Sequence, residues 1–87
     1  MLQIIFTERY TRSYKKLGAH LKQEVKDAVE LFRDPANHQR LRLHKLHGRM
    51  NSYHSFSVNY RVRIVIRLVK KKVIALLIDV GDHSLYE

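Results

Sequence analysis

The chain has 87 residues, with 17 Lys or Arg against 8 Asp or Glu, and its formal net charge is +9. Because it has no Cys and no run of about 18 apolar residues, disulfides, thiolate metal sites and a membrane-spanning helix are excluded. The length predicts a single domain over residues 1–87. No signal-peptide pattern opens the sequence, so we expect the domain to be soluble and cytoplasmic, with no membrane partner.

The first third of the chain predicts one strand followed by two helices. Residues 2–6 are short, apolar and partly β-branched, which is typical of a strand. Thr7 is a suitable N-cap for a first helix, and Gly18 is a suitable end for it. A second helix over about 20–33 carries an apolar stripe and ends before Pro35, since the residue before proline disfavours helical backbone angles.

The second half of the chain predicts a basic loop and then three strands. Residues 36–51 show no clear period, although their leucines indicate that the segment is anchored to the domain. Residues 53–58 are typical of a strand, and Asn59 or Tyr60 marks a turn or bulge after it. The continuous apolar run over 73–78 is typical of a central strand that is covered on both faces.

A strict alternation fills the segment between these two strands. Val62, Ile64, Ile66 and Leu68 alternate with Arg61, Arg63, Val65 and Arg67. A period of two predicts a strand with one apolar face and one face that bears three arginines. The helix hairpin must cover the apolar face, which leaves the arginines on the open one. The sequence therefore predicts an α+β domain of order β-α-α-β-β-β, with the hairpin on one face of a mostly antiparallel sheet.

Residues 35–78 contain no Asp or Glu. Their cations are Arg40, Arg42, Lys45, Arg49, Arg61, Arg63, Arg67, Lys70, Lys71 and Lys72. These charges repel one another, and a phosphate-rich polyanion would neutralise them while releasing its counterions. We therefore expect a nucleic acid as partner. The alternative is a solvated basic surface that only aids solubility.

The histidine, tyrosine and arginine residues of this chain fit one metal-free reaction, which is cleavage of RNA by its own 2′-hydroxyl. It needs groups that move protons and a fixed positive charge on the phosphate. Arg61, Arg63 or Arg67 can bind a phosphate through two parallel hydrogen bonds, and His83 can exchange protons near neutral pH. Tyr86 can stack on a base or use its hydroxyl. An ordinary solvated surface is the alternative for each of these side chains.

His54 is a further candidate for proton transfer, on the strand that precedes the arginines. It shares the parity of Phe56, which places it on the covered face unless a bulge near residues 51–52 turns it to the open side. His44 and His47 do not have a usual zinc spacing, and no Cys could help them. We expect neither a metal ion nor any other cofactor.

Three stretches, together with the order of elements, carry a resemblance to a known family. They are Leu-His-Gly-Arg at 46–49, Tyr-Arg-Val-Arg-Ile-Val-Ile at 60–66 and Asp-Val-Gly-Asp-His-Ser-Leu-Tyr at 79–86. Over nearly its whole length the chain resembles the RelE/ParE superfamily of bacterial and archaeal toxins, and in particular the RelE/YafQ-like branch. The resemblance implies a RelE-like fold and the toxin of a type II toxin–antitoxin system. It also implies a ribosome-dependent mRNA endoribonuclease, an mRNA interferase that inhibits translation.

The resemblance also implies roles for individual residues. The family's arginine on the penultimate strand falls at Arg63, its C-terminal aromatic at Tyr86, and the histidine of a Gly-x-His-Ser ending at His83. A lysine that acts in RelE-like members falls at His54, which is a departure from the pattern. By position alone, the nucleic-acid-binding residues would be Lys45, Arg49, Arg61 and Arg67.

The partners that the resemblance implies are a cognate antitoxin, mRNA and the ribosome. The toxin would act in the ribosomal A site and touch 16S ribosomal RNA, and operator DNA would be bound only through the antitoxin complex. A ParE-like toxin that inhibits DNA gyrase is the first alternative, although ParE-like members usually lack a His/Tyr ending. A non-catalytic nucleic-acid-binding protein, in which His83 and Tyr86 only contact bases, is the second.

Overall fold

The computed structural model describes residues 1–50 and 52–82. Its helices and strands are β1 (Gln3–Phe6), α1 (Glu8–Lys15), α2 (Ala19–Phe32), β2 (His44–Lys45), β3 (His54–Ser57), β4 (Arg63–Val69) and β5 (Ile74–Gly81). The described strands form one sheet of five in the order β1-β5-β4-β3-β2, and only β1 and β5 run parallel. The α+β prediction is confirmed, with β2 as an addition that the sequence did not predict.

The helix hairpin packs on one face of this sheet, as predicted. Val25, Ala28, Val29 and Phe32 form the buried stripe of α2. The ring of Phe32 stacks on that of Phe56 from β3 with the centroids 4.2 Å apart. We call this side of the sheet the covered face and the other side the open face. No helix among the described residues is long and apolar enough to cross a membrane.

The connection between the helices differs from the prediction. The first helix ends at Lys15, where the amides of Lys16 and Leu17 turn back to the carbonyls of Ser13 and Tyr14. Gly18 does not end this helix. It is the N-cap of α2, with a φ of −69° that needs no left-handed backbone.

Thr7 joins the first strand, the first helix and the last strand. Its hydroxyl oxygen accepts a hydrogen bond from the Tyr10 amide at 3.2 Å, which caps α1 as predicted. The same hydroxyl donates to the carbonyl of Leu77 at 2.7 Å. The start of α1 is therefore fixed to the middle of β5, on which β1 also lies.

A bulge in β5 decides which residues reach the core. Val65 pairs with Asp79 but Ile66 pairs with Leu77, so Ile78 is the extra residue. Leu77 and Val80 have opposite parity, yet both belong to the core cluster under the helices. The bulge thus resets the alternation, and Gly81 becomes the cross-strand partner of Arg63.

Replacement of Thr7 by Ala should lower the free energy of unfolding by about 1–2 kcal/mol, because a cap and a tie to β5 are both lost. Urea unfolding followed by circular dichroism measures the change. Thr11→Ala is the matched control, since Thr11 lies within α1, where Ala is the better helix former. Equal stability losses for the two variants would contradict the assigned role of Thr7.

Candidate functional site

Arg63 begins β4 on the open face of the sheet. It pairs with Ser57 of β3 on one side and with Gly81 at the end of β5 on the other. Its guanidinium donates a hydrogen bond to the carbonyl of Asn59 at 2.8 Å, and the residue is half-buried. A fixed cation therefore stands where the last described strand ends.

Asn59 shapes the turn that leads into β4. Its side-chain oxygen accepts hydrogen bonds from the amides of Arg61 and Val62, each at 2.8 Å. Its amide group donates to Glu24 of α2 at 2.8 Å, so the turn is attached to the helix hairpin. The predicted turn near Asn59 is confirmed.

Arg61 lies in this turn and not on the strand. The alternation predicted that Arg61 would share a strand face with Arg63 and Arg67, but β4 begins only at Arg63. That expectation is wrong because the Asn59 side chain takes the Arg61 amide out of the sheet ladder. Arg61 is exposed beside the open face.

Arg67 is the second arginine on the open face within β4. It is exposed and pairs with Leu76. Four residues of strand separate it from Arg63 by about 13 Å, with Val65 between them. At this distance the two guanidinium groups cannot share one phosphate.

His54 lies on the covered side of the sheet, as its parity predicted. Its cross-strand partner is Ile66, a fully buried residue of the core under the helices. Neighbours across a ladder share a face, so His54 leaves the sheet on the side opposite to Arg63 and Arg67. The sheet thus separates His54 from the arginines with which the sequence grouped it.

The imidazole of His54 has an unusual environment. Its Nδ1 is buried and has no hydrogen-bond partner among the described residues. Burial lowers the pKa of His54 from its ordinary 6.5, and the charges of Lys72 and Lys45 and then His44 lower it further. The ring is therefore neutral at pH 7.

The other predicted nucleic-acid contacts lie at two places. Lys45 is exposed in β2 as the cross-strand partner of His54, and Arg49 is exposed in a short 3₁₀ turn, Gly48–Met50. His83 and Tyr86 lie outside the described residues. Gly81, two positions before His83 in sequence, is the partner of Arg63 across the ladder.

One acidic residue near the arginines gave no signal in the sequence. Asp79 is buried and pairs with Val65, between the rows of Arg63 and Arg67. Its carboxylate forms an ion pair with Arg9 of α1 at 2.9 Å and accepts a bond from the Val80 amide. Residues 70 apart in sequence make this contact, so no local pattern could predict it.

Over residues 1–50 and 52–82, no group of three or more His, Asp or Glu side chains could hold a metal ion.

The low pKa of His54 predicts a pH dependence of stability. Because the pKa of His54 is lower in the folded state, the unfolded state binds more protons as the pH falls below 6.5. The stability contributed by the neutral His54 ring is therefore fully present above pH 6.5 and is lost as the pH falls through the folded pKa. His54→Gln should therefore lose less stability than the wild type between pH 7 and pH 5, in urea unfolding. A ring proton of His54 that titrates at or above pH 6.5 in NMR would contradict this assignment.

Comparison with known proteins gives the fold. No protein-family model matches the chain, and no curated protein matches it in sequence. It is similar in structure to YafQ from Escherichia coli (TM-score 0.73, 13% identity, 98% of this chain and 97% of that one). It is also similar to a chain of the intact E. coli RelBE toxin–antitoxin complex (0.71, 22%, 94% and 96%). A chain of the RelBE2 toxin–antitoxin complex from Mycobacterium tuberculosis gives similar values (0.72, 18%, 94% and 98%). The chain thus has the fold of RelE- and YafQ-type toxins.

Proposed function

We propose that this chain is the toxin of a type II toxin–antitoxin system and cleaves mRNA on the ribosome. The observation that carries the proposal is the position of Arg63. A guanidinium on the open face of a RelE-like sheet stands across the ladder from Gly81, just before the segment that contains His83 and Tyr86. The acid-free stretch over 35–78 supports a polyanionic substrate.

The proposed reaction is attack of an RNA 2′-hydroxyl on the adjacent phosphorus. The new 2′-O–P bond forms as the P–O5′ bond breaks, which leaves a 2′,3′-cyclic phosphate and a 5′-hydroxyl. Arg63 stabilises the charge that develops on the non-bridging oxygens. One group takes the proton of the 2′-hydroxyl and another protonates the leaving 5′-oxygen.

His83 and Tyr86 are our first candidates for these two proton transfers. His54 was a third candidate, but it leaves the sheet on the face opposite to Arg63. Its imidazole is neutral at pH 7 and could accept a proton, yet only from a 2′-hydroxyl that lies on the covered side of the sheet, away from Arg63. The proposal needs no metal, since the fixed cation and the proton-transfer groups supply the chemistry.

A cognate antitoxin is the proposed protein partner. Two of the similar structures are toxin–antitoxin complexes, and another is E. coli RelE with a RelBc antitoxin peptide. An apolar groove of about 400 Å³ between the helices supports a protein ligand, with Phe6, Tyr10, Tyr14 and Val29 in its walls. Phe6 is 51% exposed at its rim.

The remaining proposed partners follow from action on the ribosome. The exposed cations Lys45, Arg49, Arg61 and Arg67 would contact mRNA or 16S ribosomal RNA in the A site of a cytoplasmic ribosome. Operator DNA would be bound only through the complex with the antitoxin.

Arg63→Ala and His83→Ala should each relieve the growth arrest that expression of the chain causes in a bacterial host. Loss of one charge-stabilising group should reduce message cleavage by about 10²–10³-fold. Growth curves and primer extension on a translated message after brief induction measure both effects. Arg12→Ala, which removes the same charge from the exposed side of α1, is the matched control.

Two outcomes would contradict this proposal. Full toxicity of both the Arg63 and the His83 variants would remove the catalytic assignment. Intact messages together with gyrase-linked DNA breaks would instead identify a ParE-like toxin.

A further inference from the structure

The guanidinium of Arg63 is bonded to the turn that precedes β4. Its Nη1 donates a hydrogen bond to the main-chain carbonyl of Asn59 at 2.8 Å, four residues earlier in the chain. A guanidinium presents its N–H donors in one rigid plane, so a bond to one of them restricts the direction of the others. A displacement of the Asn59 carbonyl would therefore turn the donors of Arg63 as well.

The Asn59 carbonyl is itself held in place by the bonds of its turn. The Asn59 side-chain oxygen accepts hydrogen bonds from the amides of Arg61 and Val62, each at 2.8 Å. On the main chain, the amides of Val58 and Asn59 donate to the carbonyl of Val62 at 2.9 and 3.4 Å. Val62 belongs to the buried core under the helices. The turn therefore closes on a residue that the core already holds.

A further contact attaches the turn to the second helix. The Asn59 side-chain amide donates to Oε2 of Glu24 in α2 at 2.8 Å, across 35 positions of sequence. Because the acceptor is a carboxylate, this bond is charge-assisted and about twice as strong as a bond between neutral groups. Both ends of the Asn59 side chain are thus bonded, the oxygen within the turn and the nitrogen to the helix. Rotation of this side chain would break bonds at both ends.

Closure of the turn does not by itself require Glu24. An Asn side chain can close a turn through its oxygen alone, and a residue with only that role would affect stability and nothing else. The bond to Glu24 adds a fixed position relative to the helix hairpin. Such precision matters for Arg63, because a displacement of about 1 Å in a reacting group can reduce a rate about 10²-fold.

We propose that Asn59 is a positioning residue for the guanidinium of Arg63 and that Glu24 holds Asn59 in the required orientation. The contacts run from the carboxylate on α2 to the Asn59 side chain, and from the Asn59 carbonyl to the guanidinium. Neither Asn59 nor Glu24 touches the RNA, and both act through Arg63. The effect on catalysis rests on the proposed function, whereas the orientation of the guanidinium does not.

An exchange of carboxylate and amide between positions 24 and 59 tests the contact. Asn59→Asp keeps the oxygen that closes the turn, but it loses the amide donor and faces Glu24 with a second carboxylate, so the contact should break. Glu24→Gln alone keeps an acceptor for Asn59 and should behave as the wild type. The double variant of Asn59→Asp with Glu24→Gln restores the bond with donor and acceptor exchanged, and it should recover the wild-type properties.

NMR of the free chain with ¹⁵N-labelled arginine measures the orientation without any dependence on activity. In the wild type, the bond to Asn59 should slow rotation of the Arg63 Nη1 group and keep its proton signals resolved at low temperature. Arg63→Lys identifies these signals by their loss. Asn59→Asp should average them, and the double variant should restore them. Glu24→Ala should weaken them, whereas Asp27→Ala, which removes the same charge from the exposed side of α2, should not.

Message cleavage in a reconstituted translation reaction gives the second measurement. Asn59→Asp should lower kcat about 10–100-fold with little change in KM, because Arg63 acts on the charge that develops during the reaction. In an Arg63→Ala background the same substitution should change the rate by less than about twofold, since no guanidinium is left to orient. Thermal unfolding followed by circular dichroism shows whether each variant is folded at the assay temperature.

The outcomes separate this inference from the proposed function. Identical Arg63 signals in the wild type and in Asn59→Asp overturn the positioning role, even if messages are cleaved. An equal loss of cleavage with and without the Arg63 side chain also overturns it. Altered signals that the double variant restores support the role, even where the wild type leaves translated messages intact and the nuclease proposal fails. If Asn59→Asp does not fold, the comparison of Glu24→Ala with Asp27→Ala decides by the same criteria.

Discussion

The pairing of β4 with β5, with its bulge at Ile78, is the constraint on which the rest of the molecule depends. The bulge brings Leu77 and Val80 into one core although their parity differs. The same shift makes Gly81 the partner of Arg63. Thr7 attaches the first helix to β5, so the positions of the helix hairpin, the core and the arginine face all depend on this strand. An altered register would move all three together.

The acidic side chains are unevenly distributed along the chain. Most acids belong to the helical half of the sequence. Among the described residues, the ion pairs His20–Glu24 and Arg33–Glu30 lie on α2 and at its end, and Asp79 of β5 pairs with Arg9 of α1. The later strands and loops have cations without acids from their own stretch. A solvated surface usually mixes both signs, so the segregation favours a polyanion as ligand.

The sequence predicted the elements that are determined by residues close together in the chain. The strict alternation after Asn59 predicted β4, and the apolar stripe and Pro35 predicted α2, because each depends on residues a few positions apart. Non-local features had no such signal. The two-residue strand β2 exists through its ladder with β3, and the parallel pairing of β1 with β5 joins the two ends of the chain.

The candidate site was predictable in composition more than in arrangement. Parity placed His54 on the covered face, but its separation from Arg63 emerges only from the register. Asn59 predicted a turn, but the sequence did not predict that its side chain would bind the Arg61 amide and so remove Arg61 from the strand. The left-handed backbone of Lys70, Lys71 and Lys72 could not be predicted, since Lys does not favour that conformation.

The central claim is that Arg63 and His83 act on the same phosphate, and a double-mutant cycle tests it most directly. The measurement is the rate of message cleavage in a reconstituted translation reaction by the wild type, Arg63→Ala, His83→Ala and the double variant. Groups that act as a unit give non-additive losses, so the account predicts that the double variant is scarcely slower than the slower single variant. Fully additive losses, with the two single effects multiplied, would show independent action and contradict it.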